Sequence, residues 1–173
     1  MDWPLAIHKQ QNVITSGDID TPAGQYKSVS GAGGSTTGWA ANRAVYTSIY
    51  ISAPVTVTFM AFNASTASGN YDIGIYNWTG TRLVSSGSTA MVSGANVNDI
   101  TDTSLLPGWY FAALAVDNAT AVITASVLAP VGAITAMGLR TQENAFPLPN
   151  TATFAINILG AYPLITLHVR NSA

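Results

Sequence analysis

The sequence predicts an all-β protein, built as an antiparallel, jelly-roll-like β-sandwich. Val, Ile, Thr and Tyr are frequent while Leu, Glu and Lys are scarce, a balance that favours strands over helices. Gly, Pro and Asn recur every ~8 to 15 residues and divide the chain into short runs in which apolar and polar side chains alternate. The length of 173 residues suits one domain with a sizeable core.

The first 42 residues are predicted to form an irregular arm. A short strand is expected at residues 5–9, and the Gly-rich residues 31–38 are expected to form a loop or to lie on a neighbouring molecule. No Gly-Lys-Ser/Thr follows these glycines, which excludes a phosphate-binding loop. We therefore divide the chain into an N-terminal strand and Gly-rich arm, residues 1–42, and a β-sandwich domain, residues 43–173.

The β-sandwich domain is predicted to hold about eight to ten strands. The expected strands are Arg43–Ser52, Val55–Phe62, Tyr71–Asn77, Arg82–Ser86, Val97–Thr101, Trp109–Asp117, Ala121–Leu128, Thr153–Ile158 and Leu164–Arg170. Residues 129–149 alternate little and are expected to form long loops. Long connections between some strands favour Greek-key crossings, which are typical of a jelly roll.

Alternation along the first strand of the domain separates two faces. Residues 45, 47, 49 and 51 are expected to face the core, which places Tyr46 and Tyr50 on the opposite face. Because tyrosine is rigid, amphipathic and enriched at interfaces, Tyr46 and Tyr50 are candidate interface residues. The alternative is that these tyrosines cover the sheet edge or pack under a loop.

The second strand is predicted to alternate without interruption. Val55, Val57, Phe59 and Ala61 would share one of its faces. The residues between them, from Thr56 to Phe62, would share the other.

No recognised catalytic motif is present, and we predict a non-enzymatic protein without a cofactor or metal. The histidines, His8 and His168, lie near opposite ends of the chain and are expected to be unrelated. Two pairs of acids have a spacing that calcium loops can use: Asp18 with Asp20, and Asp99 with Asp102. Asp is also an ordinary turn residue. An esterase or glycosidase with an unusual site is the enzymatic alternative.

Tryptophans near predicted turns are candidates for sugar binding. Trp39, Trp78 and Trp109 lie at or beside such turns, and aromatic faces can stack on the apolar faces of sugars. Trp78 lies at a predicted hairpin tip and is the candidate glycan contact. The alternative is that Trp109 anchors the core and Trp39 wedges a loop, because tryptophan is usually mostly buried.

Charged residues make up only 8% of the sequence, against roughly 25% in ordinary soluble domains. A surface of Thr, Ser, Asn, Ala and Gly can be buried against neighbours without stranding charges, which favours assembly. The scattered Lys and Arg predict no direct nucleic-acid binding. Nor does the sequence contain an apolar run long enough for a membrane span. The N-terminus lacks signal-peptide features, so synthesis in a cytoplasm without export is expected.

Two segments carry a resemblance to a known class of proteins. One is Tyr71-Asp72-Ile73-Gly74-Ile75-Tyr76 with Gly80-Thr81-Arg82-Leu83-Val84-Ser85-Ser86-Gly87, and the other runs from Leu106-Pro107-Gly108-Trp109-Tyr110-Phe111 to Asp117. Together they resemble β-sandwich domains in structural proteins of tailed bacteriophages, including tail-fibre tips and capsid decoration or cement proteins. The resemblance covers roughly residues 43–128 and is a strand-turn-strand pattern.

The resemblance implies a virion protein, often trimeric, made in the host cytoplasm. A chain without a fibre shaft favours a capsid decoration protein, which stabilises the shell by binding neighbouring major capsid proteins or other virion proteins. The alternative is a receptor- or carbohydrate-binding module of a tail or head fibre, with a host-surface glycan as its partner.

Overall fold

Two β-sheets packed against each other form the protein, which confirms the predicted β-sandwich. The computed structural model describes residues 13–14, 25–28, 35–127, 139–156 and 161–171. These residues contain strands and turns but no helix. The strands are β1 (Val13–Ile14), β2 (Gln25–Ser28), β3 (Ser35–Gly38), β4 (Arg43–Ile51), β5 (Val55–Thr66), β6 (Asn70–Asn77), β7 (Arg82–Ser85), β8 (Thr89–Ala90), β9 (Gly94–Leu105), β10 (Gly108–Val116), β11 (Val122–Val127), β12 (Arg140–Gln142), β13 (Ala155–Ile156), β14 (Ala161–Pro163) and β15 (Ile165–Asn171).

The strands form two sheets, which we call sheet A and sheet B. Sheet A has the order β13-β12-β4-β10-β6-β7, with β1 also paired to β4 and β8 to β6. Sheet B has the order β14-β11-β5-β15-β2, with β3 also paired to β11 and β9 to β5. From β4 to β6, and again from β8 to β12, each connection changes sheet. Such crossings are the ones expected of a sandwich with Greek-key connections.

The main core lies between the sheets and is largely aliphatic, with four buried aromatic side chains. Residues 45, 49 and 51 of β4 are fully buried in it, together with Ile73 and Ile75 of β6. Alternate residues of β15 are buried in the same way. These inward faces agree with the alternation in the sequence, because successive side chains of a strand point to opposite faces of its sheet.

The predicted face of β5 is wrong beyond Val57. Val55 and Val57 are buried in the main core, but the next β5 residues in that core are Met60 and Phe62, while Phe59 is only half-buried. The register of β5 with β15 shifts at this point, so Thr58 is an extra residue that opposes none on β15. An extra residue of this kind is a β-bulge, and it exchanges the inward and outward positions of the strand.

Residues from the predicted N-terminal arm pair with both sheets. β1 runs parallel to the end of β4, β2 pairs with β15, and β3 pairs with β11. Residues 35–38, which we expected to be part of a loop or arm, are therefore a strand. The strand predicted at residues 5–9 and the glycines at 31–34 lie outside the described residues.

Candidate functional site

The outer face of sheet A, which points away from the main core, carries an unusual number of aromatic side chains. β10 presents Trp109 and Phe111 there, followed by Ala113 and Ala115, because its other residues face the core. β4 contributes Tyr46 and Tyr50, and β6 contributes Tyr76. Small residues lie among the large ones on this face, so that another segment of chain can approach the sheet closely.

Residues 143–154, here called the covering segment, lie over one part of this face. Ala145 and Leu148 of the segment are buried with the aromatic and alanine side chains of the sheet, and Phe154 packs against them. We call this second apolar core the outer cluster; its buried members are Ala44, Tyr46, Tyr76, Phe111, Ala113, Ala115, Ala145 and Leu148. The outer face of sheet A is thus divided into a covered part and an open part.

Tyr46 lies at the centre of the outer cluster and is fully buried. Its ring makes edge-on contacts with Tyr76 and Phe154, at centroid distances of 5.2 Å and 5.1 Å. Its hydroxyl donates a hydrogen bond of 3.0 Å to Oε1 of Gln142, and burial raises the pKa of Tyr46 to about 12. Tyr46, predicted as a candidate interface residue, is therefore covered by the chain itself. It packs under the covering segment, as the alternative prediction for this residue has it.

Hydrogen bonds hold the covering segment on the sheet. The carboxylate of Asp72 accepts the backbone N–H of Leu148 at 3.0 Å, and the hydroxyl of Tyr76 donates to the carbonyl of Pro149 at 2.6 Å. The guanidinium of Arg82 donates to the carbonyl of Leu148 and to the side chain of Asn150. These hydrogen bonds, made by both backbone and side-chain groups, fix the covering segment on sheet A.

Asp72 is fully buried beneath the covering segment, and this burial raises the pKa of its carboxyl above the ordinary 3.8. A carboxyl with a raised pKa in the folded state holds its proton to a higher pH than in the unfolded chain. Its stabilising contribution is therefore complete below pH ~4 and is lost as the pH rises through the folded pKa. We expect the free energy of unfolding of the natural protein, measured relative to Asp72→Asn, to fall as the pH rises from about 4.

Urea unfolding of both proteins over this pH range measures that difference. Asp99→Asn is the matched control, because it makes the same change of Asp to Asn at an exposed position on β9 instead of a buried one. If the free energy of unfolding of the natural protein, measured relative to Asp72→Asn, rises with pH instead, the raised pKa of Asp72 is wrong.

Three more aromatic side chains lie on the outer face beside the outer cluster, and we call them the aromatic row: Tyr50, Trp109 and Trp78. Trp78 is exposed, whereas Tyr50 and Trp109 are half-buried. Tyr50 and Trp109 are direct partners in the register of β4 and β10, and their ring centroids lie 5.1 Å apart. Trp78 follows β6 on the other side of β10, with its ring 6.0 Å from that of Trp109. The row therefore runs across neighbouring strands at one end of sheet A.

Trp78 is 49% exposed although it lies against the outer cluster. Its ring stacks on Phe111 at a centroid distance of 4.8 Å and an interplanar angle of 7°. Because buried Phe111 covers one face of the indole, the exposed part of Trp78 is the opposite face and the edge. Parallel stacking on a buried ring fixes the orientation of the exposed face.

The turn that carries Trp78 is ordered by its own side chains. Oδ1 of Asn77 accepts hydrogen bonds from the backbone N–H and hydroxyl of Thr79 and from the backbone N–H of Thr81. Gly80 closes the turn at a φ of 93°, a left-handed conformation that favours glycine. Phe154 lies beside Gly80, so the turn is also packed against the covering segment.

The structure brings two of the predicted site residues into one surface and separates the third. Tyr50 and Trp78 belong to the aromatic row, whereas Tyr46 is buried in the outer cluster. Trp109, which was considered both as a sugar platform and as a core anchor, joins the row. Period-two alternation could have placed Trp109 there, because Tyr110, Ala112 and later even-numbered residues of β10 pack against the main core.

The remaining candidate residues that the structure describes, Asp99, Asp102 and His168, do not form a metal centre. Nδ1 of His168 lies 2.7 Å from the hydroxyl of Thr58 at the bulge, and Asp102 forms an ion pair with Arg170. Within the described residues, no group of three metal-ligating side chains comes together. His8, Asp18 and Asp20 lie outside the described residues. The described part of the chain also contains no helix that could cross a membrane.

No protein-family model matches the sequence, and no match was found among curated proteins or solved structures.

Proposed function

We propose that this protein is a virion structural protein of the β-sandwich type that binds a carbohydrate on a host surface through Trp78. The observation that carries the proposal is the exposed indole face of Trp78, held by parallel stacking on Phe111. Aromatic faces bind the apolar faces of sugars much as they bind bases, and a ring already fixed in place loses little conformational freedom on binding. The strand-turn-strand resemblance to phage structural domains supports the virion setting.

Trp78→Ala should lose binding by about tenfold or more, because each aromatic stacking contact with a base is worth ~1–3 kcal/mol and a sugar contact is expected to be comparable. Binding of the purified protein to an array of oligosaccharides and bacterial surface polysaccharides measures the effect. Val97→Asp is the matched control, since Val97 is 58% exposed on β9 of sheet B and lies away from the aromatic row. Retention of binding by Trp78→Ala would reject the proposed site.

Capsid decoration is the second candidate function, with the major capsid protein as partner and a homotrimer as the expected assembly. Two observations favour it: the low charge of the chain, and the exposed apolar side chain of Val97 on β9. A decoration protein would use this outer part of sheet B against the shell, with many weak contacts acting together. The same two variants separate the functions, because Val97→Asp would then lose binding to capsids while Trp78→Ala would retain it.

A further inference from the structure

We infer that the aromatic row binds a single, uncharged oligosaccharide chain laid across the strands, with one sugar over each of Tyr50, Trp109 and Trp78. This inference rests on the proposed carbohydrate binding and adds the length, direction and charge class of the ligand. The argument uses the spacing of the rings, the angles between them and the charges around them.

The spacing of the row comes from the strands that carry it. Tyr50 lies on β4, Trp109 on β10 and Trp78 directly after β6, and these strands are neighbours in sheet A. Neighbouring strands lie about 4.8 Å apart, which accounts for ring-centroid distances of 5.1 Å and 6.0 Å. Each step is comparable with the length of one sugar ring in an extended chain. A chain that crosses the strands therefore meets a new aromatic ring at each residue.

The angles between the rings indicate which kind of chain fits. The ring plane of Trp109 is tilted by 54° from that of Tyr50 and by 50° from that of Trp78. A flat crystalline polysaccharide surface needs coplanar rings and cannot contact all of the row at once. A single chain that can turn between consecutive sugars can follow these planes. The row is therefore suited to soluble or surface-tethered chains.

The charges around the row indicate an uncharged ligand. None of the row residues is charged, and the support beneath Trp78 is Phe111. Arg82, at the base of the Trp78 turn, already donates to the carbonyl of Leu148 and to Asn150. Arg43 pairs with Glu143 at the far end of β4, roughly 20 Å from Tyr50 at about 3.3 Å per residue. Arg43 and Arg82 are thus already paired, and Arg140, opposite Tyr46 on β12, donates to the carbonyl of Leu139, so none of these three arginines contacts a ring of the row.

Substitution of Leu106 distinguishes a sugar ligand, which stacks on the rings, from a protein ligand, which would bury the whole apolar patch. It is 69% exposed in the turn that leads into Trp109, so it lies at the same end of the sandwich as the row. A protein partner that buries an apolar patch would use Leu106 together with the aromatic rings. A sugar chain requires ring faces, and Leu106 offers none.

Titration calorimetry with neutral glucan, mannan, galactan and N-acetylglucosamine oligomers of increasing length, compared with sialylated and uronic-acid oligomers, tests the inference. For the sugar that binds, affinity should rise up to the trisaccharide and then level off. Tyr50→Leu, which keeps much of the side-chain bulk but removes the ring, should weaken trisaccharide binding by about tenfold and leave the monosaccharide unchanged. Leu106→Ala should change neither affinity. Thermal unfolding confirms that each variant is folded.

The outcomes separate this inference from the proposed function. If monosaccharide and trisaccharide bind equally well and Tyr50→Leu has no effect, the extended site is wrong while binding at Trp78 stands. If sialylated or uronic-acid chains bind more strongly than neutral ones, the inference that the ligand is uncharged is wrong. If no sugar binds, both the inference and the proposed carbohydrate binding are wrong. If Leu106→Ala weakens trisaccharide binding as much as Tyr50→Leu does, stacking on the ring faces is wrong.

Discussion

Tyr46→Ala should destabilise the protein by about 3–5 kcal/mol, the range for truncating a large buried aromatic side chain. Tyr46 is fully buried, and its ring contacts Tyr76, Phe111 and Phe154, so removal would leave a cavity with aromatic walls. The covering segment would lose its main apolar contact with β4. Urea unfolding followed by tryptophan fluorescence measures the change in the free energy of unfolding.

Tyr46→Phe is the control that keeps the ring. It removes only the hydroxyl that donates to Gln142, whose Oε1 still accepts the backbone N–H of Thr153 at 2.8 Å. The expected loss is about 1 kcal/mol, the usual net contribution of one hydrogen bond. Equal effects of the two variants would mean that the ring contributes little, contrary to the packing described above.

Gly74→Ala should destabilise the protein by about 3 kcal/mol, at the upper end of the range for overpacking. A Cβ at this position would lie 2.5 Å from the carbonyl oxygen of Val84 and 3.2 Å from a methyl group of Leu148. The first of these atoms belongs to the backbone of β7, which pairs with β6 at this residue. Relief of the overlap would require β7 or the covering segment to move.

Gly87→Ala is the matched control for Gly74→Ala, measured by the same thermal or urea unfolding. Gly87 has a φ of 70° and no atom within 4 Å of an added Cβ. The control should therefore show only the cost of a left-handed backbone, about 1 kcal/mol. If Gly74→Ala were no more harmful than Gly87→Ala, the close approach of β7 to β6 would be wrong.

The fold class could be predicted because strand propensity and alternation act within each strand. β4, β6 and β15 follow this alternation closely. The inward face of β5 could not be predicted past Val57. The bulge at Thr58 depends on the register with β15 and is not visible in the alternation of β5 itself. The same local pattern cannot report which strands become neighbours.

The candidate site was predictable in part for the same reason. Trp78 could be found because it stands at a hairpin tip. The pairing of Tyr50 with Trp109 required the register of β4 and β10, which are far apart in the chain. Tyr46 could not be distinguished from Tyr50 by alternation, since both face outward. What separates them is the covering segment, whose sequence alternates too little to show where it packs.

The covering segment also makes the two ends of sheet A different. It begins near Arg43 at one end of sheet A and reaches Phe111 through Phe154, where the aromatic row begins. Tyr50 at the end of β4, Trp109 at the start of β10 and Trp78 after β6 therefore all lie at the other end of the sheet. The proposed carbohydrate binding therefore requires the end with the row to point toward the sugar, while the end with Arg43 and Glu143 points away from it.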